Sequence, residues 1–272
     1  MLNKNVHITR KKNHSPWNKI SIGSWRPVGD SQVYCELKLN TEKVESFLKN
    51  ESVKHKQKIT ITHFFGKVMG QVLKDVPELN SLIRFNKMYF RDQVNIFFHI
   101  ANGADLSGHR IREIDKKSLV DISTELNDTA KKVRGGDDPS FKKIKGFWSI
   151  APNFLAKTVL DLISFLNYSL NINFKPLGVP KDAFGGLMIT NIGSLGFDSA
   201  FVPIAPYTRI PMVMALGKIG WNAVCNDSGE ITSKKQLSVC ITFDHRVIDG
   251  ARGSIVAKSL EKYFDNPDLI LL

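Results

Sequence analysis

The stretch that most constrains this chain is Leu237–Gly250, LSVCITFDHRVIDG. Leu237, Val239, Ile241 and Phe243 alternate with smaller or polar residues, the period of a strand with one buried face. The alternation stops at Asp244-His245-Arg246, and from Ala251 to Phe264 apolar residues recur at helical spacing. A strand feeding directly into an amphipathic helix requires a sheet with a helix packed on it, so the chain belongs to the α/β class. Strand ends hold side chains rigidly, which suits reactive groups. His245 stands there, with Asp249 four residues on. Histidine takes and returns protons near neutral pH, which makes His245 a candidate general base. The same residues also suit a polar corner that caps the last helix.

Other elements follow in order. Residues 1–16 are polar and basic and are expected to form a flexible arm, followed by a short helix over Trp17–Trp25. Gln32–Leu39 alternates as a strand, and Asn40-Thr41-Glu42 opens a helix. Thr60 or Thr62 is placed to cap a stronger helix running to Val76, closed by Pro77-Glu78-Leu79-Asn80. Short strands are expected around Asn86-Lys87, a buried strand over Val94–Ile100, and a helix from Asp115-Lys116-Lys117-Ser118-Leu119 to about Val133. Leu187–Ile192 reads as a strand ending in Asn-Ile-Gly.

Composition narrows the function. The 38 Lys and Arg against 26 Asp and Glu give a formal charge of +12, which attracts polyanions. The basic runs Arg10-Lys11-Lys12 and Lys142–Lys145 lack interleaved aromatic residues, so the pattern does not favour nucleic acid. Three scattered cysteines without ligand spacing predict no zinc site and no metal, and point to a reducing, cytoplasmic setting. No transmembrane segment is expected, because the most apolar run, Phe154–Leu170, contains Lys157, Asp161 and Asn167.

Four motifs carry a family resemblance. FDHRVIDGA, with His245, Asp249 and Gly250, resembles the H-x-x-x-D-G signature of dihydrolipoamide acyltransferases of 2-oxoacid dehydrogenase complexes. Chloramphenicol acetyltransferases carry a looser version. Asp75–Asn80, Asp115–Leu119 and Thr190–Gly196 are similar to three further motifs of that catalytic domain, in the same order. The similarity covers roughly residues 17–137 and 183–272.

The resemblance implies a chloramphenicol acetyltransferase-like two-layer sandwich, a mixed sheet covered by helices. It divides the chain into the basic arm 1–16 and a catalytic domain 17–272, interrupted by a helical insertion at 139–182. It implies acyl transfer between coenzyme A, bound as acyl-CoA, and a dihydrolipoyl-type thiol. In that reading His245 is the base and Thr190 the oxyanion donor. Asp249 is structural and pairs with a basic group near the first helix, for which Lys19 is the nearest match. The implied assembly is a homotrimer with its active site between subunits, extended to a cage through the tail Leu269–Leu272. That tail suits equally well a terminus folded on its own subunit. No lipoyl domain is recognised, so a stand-alone chain meeting a lipoyl domain in trans is expected. The alternative is a non-catalytic trimeric or cage-forming scaffold on the same fold. The insertion suits a lid over the substrate channel or an amphipathic surface for a membrane or partner, but the expectation is a helix covering apolar surface of the main domain or trimer. Phe197, Phe201, Val202, Met212 and Met214 suit either a substrate channel or the core, and the core is the expectation.

Overall fold

A computed structural model describes residues 3–10, 31–102, 105–135, 156–173, 180–226 and 228–271. The helix expected over Trp17–Trp25, Lys19, and the basic run Lys142–Lys145 lie outside the described residues.

The alternation at Leu237–Phe243 belongs to a longer strand, β11 (Ile231–Asp244), the second strand of a six-stranded sheet. The other members are β3 (Gln32–Asn40), β6 (Ile96–Asn102), β7 (Asp105–Ile111), β9 (Leu187–Asn191) and β10 (Met212–Cys225). Their order is β3-β11-β10-β9-β6-β7. β9 runs parallel to both neighbours and the other pairs are antiparallel, so the sheet is mixed.

Four helices line one face: α1 (Glu42–Lys54), α2 (Ile61–Asp75), α3 (Leu119–Arg134) and α5 (Gly250–Asp265). Between them and the sheet sits the main core, where Phe64, Phe65, Val68 and Phe264 from helices meet Leu187, Ile189, Met214, Val239 and Ile241 from strands. Each fully buried side chain of this size contributes about 2 kcal/mol. The helix starts are set locally. Thr60 begins α2, with its N–H donated to Nδ1 of His63 at 3.1 Å. Ser118 begins α3, accepting from the Asp121 N–H at 3.1 Å while Asp121 accepts from the Ser118 N–H at 3.2 Å.

Two differences from the expected layout stand out. Residues 3–10, expected within a flexible arm, form strands β1 (Asn3–Lys4) and β2 (Ile8–Arg10). β2 pairs with β5 (Lys87–Arg91), which pairs with β4 (Ser81–Arg84). Hydrophobicity explains this: Val6 is buried against Leu82 and Tyr168. Ile8 packs on the same cluster, and the polar and basic residues around Val6 and Ile8 hid these two anchors. In the insertion, α4 (Ala156–Ser164) continues as a wider π-turn over Phe165–Ser169. The wider turn rotates the phase, burying Asn167, Tyr168 and Ser169 while Leu162 and Leu170 face outward. β1 pairs with β8 (Ile172–Asn173), so the insertion's end is stitched to the chain's start.

The β10–β11 hairpin outruns the sheet. Trp221 is 66% exposed and Ile231 75% exposed on this projecting arm. Met212 and Met214 fill the core as expected, whereas Phe197 and Phe201 are exposed on the sheet face away from the helices. At the terminus, Ile270 packs into the chain's own core and Leu271 is exposed.

Candidate active site

His245 follows the last residue of β11. Its N–H donates to the Ser31 carbonyl at 2.7 Å. Its ring is half-buried, with Nδ1 2.8 Å from the Ile248 carbonyl oxygen. A carbonyl only accepts, so in the neutral ring Nδ1 carries the hydrogen and Nε2 carries the lone pair. The loop that holds the ring is rigid. Asp244 accepts the N–H groups of Val247 and Ile248 on its carbonyl, both at 2.9 Å. Its carboxylate accepts from Nε of Arg246 at 2.9 Å and from that side chain's Nη2 in a bidentate pair, and both side chains are buried.

Asp249 is the N-cap of α5. Its Oδ1 accepts from the Arg252 N–H at 3.0 Å and its Oδ2 from Nη1 of Arg252 at 2.8 Å. Arg252 also reaches Glu78 at 3.8 Å, tying the histidine loop to the Pro77–Asn80 turn. The sequence pointed to a basic partner from the N-terminal region; the partner among the described residues is Arg252, three residues on in the same helix. Nothing in the spacing of Asp249 and Arg252 had singled out that arginine, although an aspartate ahead of a helix is a recognisable cap.

Thr190 lies in β9, half-buried. Leu187 and Ile189 face the helices, whereas Met188 joins a cluster on the opposite face. Thr190 shares the phase of Met188 and points to that opposite face. Asn191 turns back, donating to Thr62 Oγ1 at 2.9 Å and accepting from the Ser194 N–H at 3.0 Å. The turn after it packs against a bulge of β10. A Cβ on Gly193 would lie 2.4 Å from the Gly217 carbonyl, and one on Gly217 would lie 1.9 Å from the Asp198 carbonyl. Both positions require glycine because backbone meets backbone.

The single chain does not bring Thr190 and His245 together. Thr190 aligns with Ala215 and, through it, with Cys240. It is therefore two strands from β11 and four residues short of that strand's end, a separation of roughly 17 Å at ordinary sheet spacings. Among the described residues no group of three or more His, Cys, Asp or Glu side chains is gathered as a metal site. No helix among them is long and apolar enough to cross a membrane.

The architecture is thus a mixed sheet with helices on one face and a histidine loop at the end of an interior strand. At 12% sequence identity and a TM-score of 0.53, a chloramphenicol acetyltransferase shares this fold over 96% of the chain and 99% of its own length. The match is better to a structure of Azotobacter vinelandii dihydrolipoamide acetyltransferase, with TM-score 0.66 and 20% identity over 92% of this chain and 86% of that one. That structure was determined to examine a serine, a histidine and an asparagine in its catalytic mechanism, the last two four positions apart. The sequence model of the 2-oxoacid dehydrogenases acyltransferase catalytic domain matches residues 31–139 and 180–272, and the chain belongs to this family. Residues 140–179 fall outside the match. Dihydrolipoyllysine-residue acetyltransferase components of pyruvate dehydrogenase complexes are 26% identical in both Staphylococcus epidermidis and Bacillus subtilis, each across 79% of this chain. The chain spans 40% of the length of those relatives.

Proposed function

We propose that the chain transfers an acyl group between coenzyme A and a dihydrolipoyl-type thiol, with acyl-CoA as one substrate and a lipoyl domain in trans as the other. The observation that carries this reading is the His245 ring. Its Nδ1 is held by a backbone carbonyl at 2.8 Å, which puts the neutral ring's lone pair on Nε2. Nε2 takes the proton from the attacking thiol. The thiolate adds to the thioester carbonyl, forming a carbon–sulfur bond and an oxyanion. The Thr190 hydroxyl donates to that oxyanion. The intermediate collapses, the original carbon–sulfur bond breaks, and the leaving thiolate recovers the proton from His245.

The separation of the two groups in one chain supports a site made by two subunits, with His245 of one facing Thr190 of the next. Exposed Tyr34, Leu195, Phe197 and Phe201, on and near the sheet face that carries Thr190, supply apolar surface of the kind that subunit contacts cover. A homotrimer is the assembly proposed. Replacing His245 with Ala should lower acyl transfer from acetyl-CoA to dihydrolipoamide by at least about a thousandfold, with the oligomer intact by light scattering. Retained turnover would overturn the reading.

A further inference from the structure

A second site lies at the same end of the sheet, on the far side from His245. A cavity of about 210 Å³ is lined by Asn5, His7, Arg91, Arg110, Arg112 and Lys181, with Asp182 and Glu113 beside them. Its floor is unusual. The Arg91 and Arg110 side chains are only 1% and 9% exposed, and Asp182 is the one carboxylate buried with them. Glu113, the other lining carboxylate, is paired with Lys116.

Both terminal nitrogens of Arg91 and Nη1 of Arg110 are committed to the backbone. Arg91 donates to the carbonyls of Ser81 and Arg209, and Arg110 donates to those of Lys181 and Asp182. Among the described residues their buried Nε–H groups have no hydrogen-bond acceptor, and Oδ1 of Asp182 between them is likewise unpartnered. Nε of Arg91 is 3.7 Å from Asp182, and Nη1 of Arg110 is 4.0 Å from it, both beyond hydrogen-bond range. Asp182 is further occupied by Asn95, which donates to its Oδ2 at 3.0 Å. Burial drives the Arg110 pKa down even with Asp182 opposing it. Two buried guanidinium groups facing one carboxylate form an uncompensated charge, which is costly unless an anion completes it. At the mouth, exposed Arg112 and half-buried Lys181 extend the positive lining, and Lys181 donates to Nε2 of the exposed His7 at 2.6 Å.

We infer that this cavity binds a phosphate-class oxyanion, either free phosphate or the phosphoryl group of a larger metabolite. The site is separate from the thiol chemistry at His245 and does not rest on the acyltransferase reading. Because the cavity joins residues 5–7, the strand residue Arg91 and the insertion's last residues, an anion there would clamp three segments together.

The test uses the intact protein in phosphate-free buffer. Inorganic phosphate at millimolar concentration should raise the Tm by about 4 °C and bind saturably by calorimetry. Sodium chloride at equal ionic strength should do neither. Arg112→Gln together with Lys181→Gln, both at the mouth, should keep the phosphate-free Tm within about 2 °C and weaken phosphate binding at least tenfold. Displacement of phosphate by coenzyme A but not by pantetheine would make the coenzyme's phosphates the source; displacement by neither would leave free phosphate as the ligand. An equal response to chloride, no saturable binding, or unchanged binding in the double variant would each overturn the proposal.

Discussion

At the scale of single residues, the histidine loop and Thr190 differ in how well the sequence foretold them. His245 was legible because strand alternation ends on it. Asp249 was legible as a loop-holding residue because its offset matches the family motif; its capping bonds to Arg252 needed the fold, since a cap and its return partner lie on one turn. Thr190 owes its proposed role to a hydroxyl that the resemblance singled out and periodicity did not, because a threonine on a strand is ordinary. Thr190→Val keeps the shape and removes the donor. The expected result is a fall in kcat of about a hundredfold with little change in KM, and Thr190→Ser should retain most of the activity. Steady-state kinetics with acetyl-CoA decide it.

Elements were more legible than their junctions. β3, α1, α2, α3 and α5 follow the apolar periods in the sequence closely. β10 was not anticipated, because Met212–Leu216 is buried on both faces and offers no alternation to read. The π-turn at Phe165–Ser169 was equally hidden, since it breaks the period on which the reading depended. α2 carries a test of its own. His63 sits in its first turn, accepting the Thr60 N–H, and burial pushes its pKa down to about 4 from 6.5. The neutral ring is the form the fold accepts, while the unfolded chain binds the extra proton. The stability from this site is therefore complete above pH 6.5 and is lost as pH falls toward 4. His63→Gln preserves an acceptor at the capping position without titrating. Between pH 7 and pH 5 the wild type should lose about 2 kcal/mol more than this variant, measured by urea denaturation. Parallel curves would refute the account.

For the whole molecule, the layer architecture was legible through the family resemblance, but the folding-in of the chain's first residues was not. Val6 and Tyr168 are 162 positions apart in the sequence, and no local pattern links them. Assembly is where the proposed function is most exposed to test. Chains carrying His245→Ala and chains carrying Thr190→Val, each nearly inactive alone, should regain activity when unfolded, mixed in equal amounts and refolded. Random trimers would carry both intact groups at about a quarter of their interfaces. No recovery would overturn the shared site.

The distance along β9 and β11 between Thr190 and His245 has a kinetic corollary. If neither chain owns a whole site, specific activity becomes a function of enzyme concentration. Diluting the protein past its association midpoint would extinguish turnover while every polypeptide stays native, and the rate would then climb faster than linearly with added enzyme. Catalytic competence would belong to the encounter between chains.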